Sequence, residues 1–244
     1  MSSNREPQID GGARPRGPER ERDLPRDAYF SEEYFTYPQL WSFVDQIYHI
    51  RRLASSSMVE VGVGNGIVSS FFRAMGLRVK TFDINPRLKP DVVAPVDKIG
   101  DFVAPAEFDL ISCCEVLEHM PFDEFETVIR SFSHLSDNLF LTLPVHGRSC
   151  GFGGNVRLPR CRRRWIGIWF RLPPTRRRPV AYPHLWEVDY ESRTRKAEIL
   201  RILRSHYEQV ETGLFKANPR HRYFACRGAK GLHSMENPDT RISR

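Results

Sequence analysis

Three short motifs place residues capable of chemistry near the middle of the chain. The first is "VEVGVGNG" (59–66), in which Glu60 precedes Gly62, Gly64 and Gly66 at alternate positions. Gly62 and Gly64 let the backbone turn tightly from a strand into a helix and approach a ligand where a Cβ would intrude. The helix start that follows offers unpaired N–H groups. Dinucleotide turns favour G-x-G-x-x-G around a pyrophosphate. Here the spacing is G-x-G-x-G, and an acid two residues before the first glycine repels a pyrophosphate but suits a cationic ligand. The second motif is Asp83 in "TFDINP", 17 residues beyond Gly66. An acid at a strand end can accept both hydroxyls of a ribose. The third is "CCEVLEHMP" (113–121), where Glu115, Glu118 and His119 bring two carboxyls and an imidazole together. His119 is the candidate general base for a hydroxyl nucleophile. Without a ligand, the same three motifs read as a tight βα turn, an Asx turn before Pro86, and a histidine packed beside a helix start at Pro121.

Such residues need strands that end side by side. Leu40, Val44, Ile47 and Ile50 recur at helical spacing between Pro38 and Leu53, and Pro38 suits a first turn. "MVEVGV" predicts a buried strand. Ile67, Val68, Phe71, Phe72 and Met75 predict a helix that stops at Gly76. "RVKTFDI", "DVVAPV", "FDLISCC" and "NLFLTLP" predict four more strands. Between the last two, a helix carries Asp123, Glu124 and Glu126 in its first turn and Phe125, Ile129 and Phe132 along one face. Residues 191–206 read as a helix, and "QVETGLF" with "HRYFACR" as a closing antiparallel hairpin. This alternation predicts an α/β fold, a doubly wound Rossmann-like sheet of seven strands covered on both faces. Its ligand belongs beyond the carboxyl ends of the strands, at the switch point.

In order and spacing, these motifs resemble the class I S-adenosylmethionine-dependent methyltransferases. The likeness is to a small-molecule branch with an E-V-L-E-H segment after the fourth strand, which includes the ubiquinone-biosynthesis type. It covers residues 37–145 and continues through "HLWEV" (184–188) into the closing strands. The resemblance implies S-adenosyl-L-methionine as cofactor. Gly62 and Gly64, with Val63 and Gly66 in the same turn, would meet its methionine and ribose end, and Glu60 would sit under its amino group. Asp83 would bind the ribose hydroxyls and Ile84 would pack on the adenine. Val96, Asp97 and Glu115 complete the implied cofactor site. At the third strand end, where the family often has an adenine-reading acid, this chain has Pro95, with Asp97 two positions later. His119 would be catalytic, and His184, Trp186 and Glu187 would line the acceptor side or lock a lid to the core. The implied reaction moves a methyl group to oxygen or carbon of a small-molecule, lipid-linked or saccharide-linked acceptor. No D/N-P-P-Y/F segment follows the fourth strand, which disfavours adenine amino methylation. No Pro-Cys pair does either, since Cys161 follows Arg160. A non-catalytic cofactor-binding scaffold, an RNA-directed methyltransferase and a nicotinamide-dependent oxidoreductase are the alternatives; the glycine spacing disfavours the last.

Composition bounds the rest. A chain of 244 residues holds one sizeable core with tails, and 40% hydrophobic with 27% charged residues is ordinary for a soluble protein. Apolar runs reach only about six residues, against roughly 20 for a membrane span. "MSSNREPQID" has no apolar signal region, and the five cysteines form no CxxC pair. Reduced thiols, no metal and a cytoplasmic location are therefore expected. The net charge of +7 is uneven. Arg148 to Arg178 holds ten arginines and no acid, which leaves 27 basic against 30 acidic residues elsewhere. This basic, aromatic insert (147–183) predicts a substrate lid, a peripheral contact with an anionic inner membrane surface, or a nucleic-acid contact through stacking tryptophans. The expected organisation is a disordered tail over 1–28, a methyltransferase domain over 29–226, and a flexible tail over 227–244.

Overall fold

A computed structural model of the protein describes residues 16–147, 149–156, 164–171 and 179–232. Its centre is a seven-stranded sheet in the order β3-β2-β1-β4-β5-β9-β8. Strands β1 (Ser57–Val61), β2 (Arg78–Asp83), β3 (Val92–Val93), β4 (Leu110–Cys114) and β5 (Asn138–Pro144) run parallel. The closing strands β8 (Tyr207–Leu214) and β9 (His221–Ala229) are antiparallel, with β9 beside β5. From β1 the chain winds outward to β2 and β3, then returns to β4 on the other side. The switch point therefore falls between β1 and β4, where a crevice opens beyond the strand ends.

Strand alternation sends successive side chains to opposite faces. Val59 and Val61 join Ile111, Cys113, Leu139 and Leu141 in the layer packed on helices α4 (Phe125–Leu135) and α5 (Lys196–His206). Met58, Leu110 and Phe140 face the layer of α2 (Tyr37–Ile50) and α3 (Ile67–Ala74), against Phe43, Ile50, Val68 and Phe72. Glu60 has the parity of Met58, so a carboxyl enters the α2–α3 side. Helix α2 starts where the Thr36 hydroxyl accepts from the Gln39 N–H at 3.4 Å, with Pro38 in its first turn.

Five features depart from the sequence reading. Residues 18–28 are not structureless: Pro18–Asp23 forms helix α1 and Arg26–Phe30 a 3-10 turn. Strand β9 runs to Ala229, past the expected boundary at 226. The predicted third strand shrinks to two residues, and the helix expected from 191 begins at Lys196, because Glu191 to Thr194 forms a separate capped turn. Within the basic insert, β6 (Ser149–Val156) and β7 (Arg164–Arg171) pair as an antiparallel ribbon outside the main sheet. Trp169 ties that ribbon to the body by donating its indole N–H to the Lys216 carbonyl at 3.0 Å. Eight of the ten arginines between Arg148 and Arg178, the first 15 residues and those after 232 lie outside the described residues.

Candidate active site

A cavity of about 750 Å³ lies at the switch point. The glycine turn forms one wall. Gly62 has φ +83°, and a Cβ there would stand 2.3 Å from a methyl of Val116. Gly64 has φ +53° and faces the rings of Tyr29 and Tyr34. Only glycine takes such backbone routinely. Val63 lines the cavity too, whereas Gly66 stands back as the left-handed cap of α3.

Asp83 holds this turn in place. Its Oδ2 accepts the Val63 N–H at 2.7 Å and its Oδ1 accepts the Asn85 N–H at 2.8 Å. Each oxygen keeps a second acceptor site. Burial raises the Asp83 pKa, and the two backbone donors offset only part of that rise. Glu60 is 6% exposed, its Oε2 has no hydrogen-bond partner, and burial pushes its pKa up to about 8. Ile84, Val96 and Asp97 line the same side, with Asp97 in the turn that Pro95 caps.

The opposite side is built from the segment after β4. Glu115 sits at φ +54°, its N–H donates to the Thr142 carbonyl at 3.1 Å, and its Oε2 is 3.5 Å from Nε2 of His221. Glu118 is fully buried and neither of its carboxyl oxygens has a hydrogen-bond partner. Burial raises the pKa of both carboxyls, with the charge of Glu187 adding to the rise at Glu115 and that of Glu115 adding to the rise at Glu118. His119 lines the cavity as expected, but burial lowers its pKa to about 3, far from the near-neutral value that suits a general base. His184 also lines it, with its ring 5.2 Å from that of His119. Trp186 and Glu187 do not. The Trp186 indole N–H donates to the Met120 carbonyl at 2.9 Å, and its ring packs on Phe122 and Phe125. Glu187 accepts from His146 at 2.7 Å and from His184 at 3.2 Å, so both residues hold the wall rather than line it.

The cavity also has a roof that sequence patterning missed. Glu21 and Leu24 from the α1 region, with Tyr29 and Tyr34, cover part of it. The Asn85 amide donates to the Leu24 carbonyl at 2.8 Å, and Arg87 bonds the Asp23 carbonyl. Tyr29 donates to Glu21 at 3.2 Å and packs edge-on against Tyr34. The segment's six arginines and six acids through residue 27 hide this in the sequence.

A glycine turn with a buried acid before it, an acid at the next strand end, and a doubly wound sheet with an antiparallel closing pair define a class I methyltransferase architecture. The chain belongs to the methyltransferase-domain family, whose profile matches residues 39–187. Among solved structures, the N-methyltransferase NodS from Bradyrhizobium japonicum WM9, in complex with S-adenosyl-L-homocysteine, is 14% identical. Its TM-score is 0.56 over 86% of this chain and 96% of that one. Magnesium protoporphyrin IX methyltransferase (ChlM) from Synechocystis PCC 6803 with bound SAH is 13% identical, with TM-score 0.51 over 83% and 92%. At these identities the likeness is one of fold. No curated protein matches the sequence.

As a family member the protein is an S-adenosylmethionine-dependent methyltransferase, and its cavity fits that cofactor. The unpartnered Glu60 oxygen suits an ammonium group. Gly64 brings bare backbone to the cavity wall between Glu60 and the Tyr29 and Tyr34 rings. The spare acceptor sites of Asp83 suit a ribose.

Proposed function

We propose that the protein methylates a small-molecule acceptor, at oxygen or carbon, seated against His119 and His184. The observation that carries this reading is the roofed cavity of about 750 Å³. That volume falls within the range of about 300–1,000 Å³ usual for small-molecule sites. S-adenosylmethionine supplies a methyl group on a positively charged sulfur, an excellent leaving group. The protein's part is alignment, which contributes on the order of 7–11 kcal/mol when the reacting atoms are held in line. Glu60, the Gly62–Gly64 backbone and Asp83 fix the cofactor end. Val96, Asp97 and Ile84 flank the adenine side. The acceptor end is set by His119, His184 and Glu115, while Glu187 and Trp186 hold His184 in position. A lipid-linked or saccharide-linked acceptor requires its reacting group to enter beneath the roof.

The test is transfer from methyl-labelled cofactor into a fractionated cell extract, followed by NMR of the labelled product. Label on oxygen or carbon of a low-molecular-mass compound is the expected result. Label confined to RNA or protein would overturn the reading.

A further inference from the structure

Glu118, His119 and His184 present one ligand atom each, all within 4.8 Å of one another. Glu118 Oε1 stands 4.0 Å from Nε2 of His119 and 4.0 Å from Nε2 of His184. Direct N–H···O bonds would draw these atoms to about 2.7–3.2 Å. Instead the three groups surround a gap that none of them fills. A fully buried carboxyl with both oxygens unpartnered is costly unless something occupies that gap.

The surroundings aim the Nε2 lone pair of His184 into it. Glu187 accepts at Oε1 from Nδ1–H of His184 (3.2 Å) and from the Ala181 N–H (3.2 Å), and at Oε2 from Nδ1–H of His146 (2.7 Å). A proton on Nδ1 of His184 leaves its Nε2 bare and facing Glu118. Such a carboxylate behind an imidazole is the usual support of a metal-bound histidine. The backbone fixes the spacing: the Leu185 N–H donates to the Glu118 carbonyl at 2.8 Å, and Trp186 donates to the Met120 carbonyl at 2.9 Å. Two segments 66 residues apart at Glu118 and His184 are thereby clamped together.

We propose that Glu118, His119 and His184 form a binding site for one divalent transition-metal ion, with open coordination positions facing the acceptor end of the cavity. Bonds of about 2.0–2.2 Å to a tetrahedral ion place ligand atoms about 3.3–3.6 Å apart, so the 4.0 Å separations here close by a few tenths of an ångström on binding, within reach of side-chain rotation. Two imidazoles and one carboxylate suit manganese, iron, cobalt or zinc better than magnesium or calcium, which prefer all-oxygen shells. An ion so placed would lower the pKa of a hydroxyl bound to it, the task for which His119 alone lacks the basicity. Only this use rests on the methyltransferase reading; the presence of the ion does not. The cysteine spacing that argued against metal bears on thiolate sites, and this site has none.

Cobalt(II) titration of the metal-free, full-length chain tests the proposal. One equivalent with visible ligand-field bands is expected. Binding should weaken at least tenfold in Glu118→Gln and in His184→Ala, and about 10–100-fold in Glu187→Gln, which alters only the support. Circular dichroism checks that each variant folds. Should one unfold, pulsed EPR of manganese(II) on the unaltered chain should still report coupling to imidazole nitrogens. No stoichiometric binding, binding unchanged in all folded variants, or no nitrogen coupling would overturn the site. Calorimetry with S-adenosylmethionine on the same metal-free protein reads the cofactor end separately. Failure there would undo the methyltransferase reading and leave the cation result standing.

Discussion

Glu60 answers to two demands, a buried strand around it and a cationic ligand before it. With a folded pKa near 8 against an ordinary 4.5, it is mostly protonated at neutral pH until a cation arrives. The protonated form is favoured by folding, so its contribution to stability is complete below about pH 4.5 and is lost as pH rises through 8. The slope cannot exceed about 1.4 kcal/mol per pH unit for one proton. Cofactor binding runs the other way: an ammonium stabilises the carboxylate, so affinity should rise between pH 6 and 8. Binding near pH 7 should therefore release a proton, read as a binding enthalpy that changes with the buffer's ionisation enthalpy. Glu60→Gln should weaken binding, remove the buffer dependence, and flatten the fall in stability toward pH 8. Asp83→Ala should cost about 1–3 kcal/mol of cofactor binding, the value of a charge-assisted hydrogen bond. It also releases the Val63 N–H, so calorimetry should show no affinity gain at any pH. Unchanged affinity would remove Asp83 from the ribose.

At the scale of elements, the turn after β1 depends on backbone that only glycine supplies cheaply. Gly62→Ala should destabilise the protein by at least about 1–2 kcal/mol from its left-handed φ alone, and more from the Val116 contact. A thermal melt reads the loss, and Val116→Ala should restore part of it. The elements that sequence foretold are those whose local pattern agrees with their surroundings. Strands β1, β4 and β5 are largely apolar runs, and α3 and α4 carry apolar stripes. The two-residue β3 has too few residues to show a period. Helix α1 reads "PERERD", with no apolar face, and its place is set by bonds from Asn85 and Arg87, more than 60 positions away. The site divides the same way. Glu60, Gly62, Gly64 and Asp83 sit in local motifs and were legible. The depressed basicity of His119 and the convergence of His184 on Glu118 arise only from tertiary burial.

For the whole molecule, charge is concentrated where the described structure is sparsest. No helix among the described residues is long and apolar enough to cross a membrane. Ten arginines without an acid between Arg148 and Arg178 nevertheless favour an anionic surface. The exposed Ile168 and Phe170 on the ribbon add apolar area beside them. The purified protein should bind vesicles containing anionic lipid, with about 1 kcal/mol per basic side chain near the surface, and release them as salt is raised. Arg162, Arg163 and Arg164 changed together to Ser should weaken sedimentation with vesicles and leave cofactor affinity unaltered. Equal binding to neutral vesicles would assign the contact to the aromatic residues instead.

The roof over the cavity has a consequence for timing. Tyr29, Tyr34 and Glu21 line the cavity beside the glycine turn, and bonds from Asn85 and Arg87 hold the α1 segment there. If this segment must lift before spent cofactor departs, its opening and not alkylation sets the pace of repeated turnovers. Rapid mixing with acceptor should show a burst of methylated product close to one per enzyme, followed by a slower steady rate. Removing residues 1–24 should abolish the burst by speeding departure and weakening capture alike, whereas a truncated protein that keeps the burst would assign the slow step elsewhere.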